Sequence, residues 1–79
     1  MQIKLKILTP EKIIAEKDVD FVSVESHSGS LGFLPGHAPL AASLKKAPLQ
    51  YIIGDVREKI EIDGGFAKVL PQSVTVFTK

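Results

Sequence analysis

Two histidines, His27 and His37, and the carboxylate of Asp63 are the residues whose types would suit a metal site or an acid–base pair. Zinc needs three or four converging ligands, and a chain with two His and no Cys offers too few of the usual ones. Nucleophilic catalysis needs an activated side chain; there is no cysteine, no Gly-x-Ser-x-Gly elbow and no His-Glu-x-x-His pair at helical spacing. Ser28-Gly29-Ser30-Leu31-Gly32 has glycines of the kind that let backbone N–H groups converge on an anion. It lacks the Gly-Lys-Ser/Thr ending of a phosphate loop and opens no helix. His37 follows a Pro-Gly turn and reads as a surface imidazole bonded to a backbone carbonyl. No cofactor and no metal is expected. On these residues alone, a small ligand-binding or enzymatic β-domain using His27, His37 and the Ser-Gly turn stays open as the alternative.

The residues around this sparse chemistry are rich in shape. Between Ser26 and Leu40 lie three glycines, two prolines and five apolar residues. That composition predicts a pair of tight bends presenting a fixed loop, with no helix or long regular strand. Pro35 and Pro39 bracket the tip and remove backbone freedom before any docking, which lowers the ordering cost of binding.

The elements that must hold this loop carry the strand period. Ile3, Leu5 and Ile7 alternate with Gln2, Lys4 and Lys6, and Thr9-Pro10 closes that strand. The stretch Lys12 to Glu16 is ambiguous, with Ile13 and Ile14 adjacent. Phe21 to Glu25 is β-branched and aromatic and runs into the polar Ser26 to Ser30 turn. Lys45-Lys46-Ala47-Pro48 reads as a connection. Gly54-Asp55 is a two-residue spacer suited to a type II′ hairpin between Leu49–Ile53 and Val56–Ile62. Gly64-Gly65 marks a bulge or close backbone approach that lets a strand bend between sheets. Val74 and Val76 sit in the last strand. The fold class is therefore all-β, a flattened antiparallel β-sandwich or barrel of about eight to ten short strands.

A chain of 79 residues with net charge +1 is one domain with a small core. Its charges alternate in sign, and Lys45-Lys46, the adjacent basic pair, reads as a solvated turn, so no nucleic-acid partner is expected. The apolar runs fall short of the ~20 residues a spanning helix needs. Met1 to Ile7 has no apolar h-region, so it is not a secretory signal. These features predict a soluble, cytoplasmic protein that reaches a membrane only through a partner.

The ordered run Leu31-Gly32-Phe33-Leu34-Pro35-Gly36-His37-Ala38-Pro39-Leu40 resembles the central motif of the epsilon subunit of rotary F-type ATP synthases, called delta in mitochondria. The likeness extends from Leu8-Thr9-Pro10 to Asp63-Gly64-Gly65-Phe66 and Val74-Thr75-Val76. It implies that residues 1–79 are the N-terminal β-sandwich domain of that family, with the C-terminal helical hairpin absent after Thr78-Lys79. Inhibition by a helical tail is therefore not expected to carry over. The resemblance further implies a non-catalytic central-stalk subunit coupling the gamma subunit to the c-ring for proton- or sodium-driven ATP synthesis. Its place would be peripheral, at the cytoplasmic face of the bacterial inner membrane. By motif position, Ser28, Gly29, Ser30 and Leu31 would face the c-ring, and His37, Ala38, Pro39 and Leu40 the gamma subunit. Many family members carry an acidic residue before the Leu-Gly pair, facing a basic loop of the ring. Ser30 stands there in this chain, so that contact is expected to rest on shape and hydrogen bonds, with less sensitivity to salt.

Overall fold

The computed structural model describes residues 1–79 and contains seven β-strands and no helix. They are β1 (Ile3–Leu8), β2 (Ile13–Val19), β3 (Phe21–Ser26), β4 (Gly29–Phe33), β5 (Leu40–Ile53), β6 (Val56–Leu70) and β7 (Ser73–Phe77). They form one hydrogen-bonded sheet in the order β2-β1-β7-β6-β5-β3-β4. Strands from both ends of that order feed a single apolar cluster, in which Leu5 and Ile7 of β1 and Val19 of β2 are buried with Val22 and Val24 of β3 and Phe33 of β4. A flat sheet cannot bring its two ends into one core. The sheet therefore folds over itself into two layers, consistent with a shortest extent of 18 Å and a spacing of ~10 Å between packed sheets.

The strand count is lower than the sequence predicts, because two predicted breaks lie inside long strands. Lys45-Lys46-Ala47-Pro48 is not a connection; it belongs to β5, a strand of 14 residues. Gly64-Gly65 lies within β6, a strand of 15. The β5–β6 register keeps the same count from Leu40↔Val69 to Ile53↔Val56 but lacks the Lys45–Gly64 pair. With Gly64 at φ +73° and Gly65 at φ +115° the ladder is locally irregular without a net extra residue: the buried set passes from Ile62 to Ala67 and Val69, of opposite parity. Pro48 is tolerated for a definable reason. Alternation counted from the two-residue turn puts the Pro48–Glu61 pair at a position that exchanges no backbone bonds. Its nitrogen thus points toward β3, where the ladder is interrupted between Ser23 and Ser26, and no partner asks for the missing N–H.

Other expectations hold locally. Gly54 has φ +59° and Asp55 does not have positive φ, as a type II′ turn requires. Gly65 is a close approach: at φ +115°, a Cβ there would overlap the carbonyl oxygen of Phe77. The ambiguous segment after Pro10 is β2, and the adjacent isoleucines mark a register slip. Ile7 pairs with Ala15 and Leu8 with Ile13, which leaves Ile14 as the extra residue of a bulge. The turn before it is tied by Thr9, whose Oγ1 accepts from the N–H groups of Glu11 and Lys12 at 3.3 and 3.1 Å. One pairing departs from the antiparallel expectation. β7 is inserted between β1 and β6, antiparallel to β6 and parallel to β1, with Lys4↔Ser73 through Leu8↔Phe77.

Candidate docking surface

The central motif divides between a strand and a loop. Leu31-Gly32-Phe33 belongs to β4, which corrects the expectation of bends throughout, and Pro35-Gly36 makes the turn that follows. The β3–β4 hairpin turns at His27-Ser28 and is closed by the Ser26↔Gly29 pair. Ser26 is buried, and its hydroxyl donates to the Gly29 carbonyl at 2.7 Å while accepting from the Ser28 N–H at 3.1 Å. The His27 N–H donates to the Ser43 carbonyl of β5 at 3.1 Å, and its Nδ1 lies 3.1 Å from the Ser43 hydroxyl. A hairpin tip fixed on both sides of its turn cannot swing freely. Ser30 faces Glu25 across the hairpin, and its hydroxyl lies 2.7 and 2.8 Å from the two carboxylate oxygens, to which it donates.

The loop between β4 and β5 is held by the opposite layer. The Gly36 N–H donates to the carbonyl of Pro71 in the β6–β7 turn at 2.7 Å, and the His37 N–H donates to Leu34 at 3.2 Å. The His37 ring meets Phe33 edge to face at a centroid distance of 5.1 Å, and its Nδ1 donates to the Ala38 carbonyl at 2.7 Å. Ala38 and Pro39 are exposed beside it. The predicted surface residues thus sit on a braced loop.

Leu31 and Leu40 lie on one groove of about 270 Å³ with Ser28, Ala42, Ser43 and the hairpin tip, at the mouth between the two layers. Leu31 and Ala42 pack on the core cluster, so the groove is a place where the sandwich is not sealed. Residues expected to face two different partners therefore share one cleft. By contrast, the chemistry-bearing residues disperse. His27 lies by Ser43, His37 by Phe33 and Ala38, and Asp63 lies 4.0 Å from the Lys46 ammonium. No groove is lined by both histidines, and no group of three His, Asp or Glu side chains converges.

A further surface was missed in the sequence. Phe66 of β6 and Phe77 of β7 are cross-strand partners whose rings stack at 4.9 Å while remaining 49% and 37% exposed. The row continues through Leu8 of β1, paired with Phe77, to Ile13 of β2, which is 51% exposed. Singly exposed apolar residues are ordinary, but a row across four strands, half-buried only at Leu8, is a candidate docking surface. In the sequence, Phe66 and Leu70 alternate onto the face of charged Lys68, opposite Ala67 and Val69, so the segment shows an outward face that carries two large apolar residues.

Residues 2–79 match the family model described as the beta-sandwich domain of the ATP synthase Delta/Epsilon chain. The ATP synthase epsilon chains of Carboxydothermus hydrogenoformans and Syntrophobacter fumaroxidans are each 43% identical to this chain over 75 residues, covering 95% of it and 56% of theirs. A chain in the cryo-EM structure of the Euglena gracilis mitochondrial ATP synthase, OSCP/F1/c-ring, superposes with a TM-score of 0.90 at 26% identity. The superposition covers 98% of this chain and 50% of that one. A chain from the central stalk/c-ring structure of the Tetrahymena thermophila mitochondrial ATP synthase shares the fold, with a TM-score of 0.78 at 16% identity over 99% of this chain and 63% of that one. This chain spans a little over half the length of the bacterial relatives it matches.

Proposed function

Since the chain belongs to the delta/epsilon family of ATP synthases, as its β-sandwich domain, we propose that it is a non-catalytic part of the central stalk that couples the gamma subunit to the c-ring. The coupling would serve ATP synthesis driven by protons or sodium ions. The observation that carries this reading is the match across residues 2–79 to a domain of that assembly. The Euglena structure is of an OSCP/F1/c-ring assembly and the Tetrahymena structure of a central stalk with its c-ring, and chains of both share this fold. Bacterial relatives support a place at the cytoplasmic face of the inner membrane, peripheral and held there by the complex.

The mechanism is mechanical. Torque passing from ring to shaft needs a joint that does not yield, and the braces at Ser26, His27 and Gly36 tie both exposed segments to the body. Ser28, Gly29, Ser30 and Leu31 are the ring-facing residues in this reading. His37, Ala38, Pro39 and Leu40 face gamma, and the Phe66–Phe77 row supplies the apolar area that a firm contact buries. No residue acts on a substrate, and neither metal nor cofactor has a part.

The test is complex formation with the cognate gamma subunit. The chain is expected to co-purify with gamma, and Ala38→Asp, at an exposed position, to weaken the complex at least about tenfold by placing a charge in a closed interface. Equal binding by Ala38→Asp would discard the gamma-facing assignment. Failure of the unaltered chain to bind gamma would discard the stalk reading.

A further inference from the structure

The sheet does not close, so it has two free edges, β2 and β4. They are treated differently by the sequence. β2 carries exposed Glu16, Lys17 and Asp18 and a bulge at Ile14, which are the devices that keep a foreign strand from pairing. β4 reads Gly29-Ser30-Leu31-Gly32-Phe33, with no charge, no proline and no bulge in its register with β3. An edge so unguarded is a template for strand addition.

The register says which groups are free. A two-residue turn makes Ser26↔Gly29 a bonded pair, and alternation then bonds Val24↔Leu31 and Val22↔Phe33. Ser30 and Gly32 point their N–H and C=O groups away from β3, and neither takes part in the backbone bonds of the turns and loops. Their side chains are small, and the face above Gly32 is covered by the Phe21 ring of the same layer. β4 also runs from the hairpin tip at Ser28 to the loop bearing His37. A segment of gamma lying along it would continue from the shaft-facing residues toward the ring-facing ones.

We propose that the outer edge of β4 receives an extended segment of the gamma subunit, which adds to the sheet as an eighth strand through the backbone groups of Ser30 and Gly32. This rests on the stalk reading and makes part of the gamma contact sequence-tolerant, since main-chain bonds carry it. Specificity then comes from Leu40, the gamma-facing residue of the groove beside it.

The experiment is residue-resolved amide exchange by NMR on the chain, free and bound to cognate gamma. Free, the Ser30 and Gly32 amides exchange fast; bound, both slow by at least about tenfold, as groups entering a ladder do. A complex in which both exchange as in the free chain overturns the inference and leaves the stalk reading standing. Absence of a complex overturns both. Protection that grows with concentration of the chain alone would make a second copy the occupant and also refute it. As a second measurement, Ser30→Pro removes an outward N–H at an edge position that tolerates proline. It is expected to keep the fold and weaken gamma binding at least about tenfold, whereas Lys17→Ala, at an exposed position on the opposite edge β2, binds within about twofold of the unaltered chain. Equal binding by a folded Ser30→Pro overturns the proposal.

Discussion

Gly65→Ala separates two ways in which a glycine matters. At position 65 the backbone has φ +115°, and an added Cβ overlaps the carbonyl oxygen of Phe77 and lies 3.0 Å from Thr78 Cα. The strained conformation alone costs about 1–3 kcal/mol for a residue with a Cβ. The overlap is with backbone, so no side-chain rotation relieves it, and forcing the strands apart costs about 1–3 kcal/mol more. A domain of this size is stable by roughly 4–12 kcal/mol, so the substitution removes a large share of the total. Gly54→Ala is the matched control. Gly54 also has positive φ, at +59°, but a Cβ there meets nothing within 4 Å. Its cost is about 1–2 kcal/mol of backbone strain at positive φ alone. Thermal unfolding followed by circular dichroism reads the difference. Gly54→Ala is expected to lower Tm by roughly 4–15 °C and Gly65→Ala by clearly more, with the unaltered chain as reference. Equal midpoints for the two variants would refute the argument that β6 approaches the end of β7 too closely for any side chain.

The hairpin brace and the apolar row make further predictions. Ser26→Ala leaves the Gly29 carbonyl and Ser28 N–H without their buried partner and is expected to cost about 1–3 kcal/mol, read as a lower urea midpoint at unchanged m-value. Phe66→Ala removes one ring of an exposed stack. It is expected to cost only about 0.5–1.5 kcal/mol of stability beyond lost area, while gamma binding, measured by calorimetry, falls by a larger free energy. Equal losses in the two measurements would show that the row is structural and not a docking face.

Much of the fold was legible where a short segment carries its own instructions. Ile3, Leu5 and Ile7 announce a strand with one buried face because side chains alternate, and all three are buried. Gly54-Asp55 announces a hairpin because the turn type demands φ above zero at its first residue. His37 was legible as bonded to a carbonyl. What misled was local punctuation. Pro48 and Gly64-Gly65 are breaker residues, yet β5 and β6 run through them, since the break in the β3 ladder leaves the proline's nitrogen unasked for and the glycines serve a close approach of chain to chain. Leu31 and Leu40 belong to one groove, a fact invisible when they are read as the two ends of a motif. The pairing of Phe66 with Phe77 was equally hidden, because it depends on the β6–β7 register and not on either segment alone.

By itself the order of residues determined that this chain is built of strands and tight turns, and which family it joins. Those properties follow from dihedral preference, from alternation and from the ordered motif, all of which act or are read along the chain. Tertiary structure decided which strand closes beside which, so that β7 lies parallel to β1, which edge is guarded and which open, and which apolar residues stay outside. These depend on which distant strands share hydrogen bonds and a core, and no local preference encodes a partner many residues away.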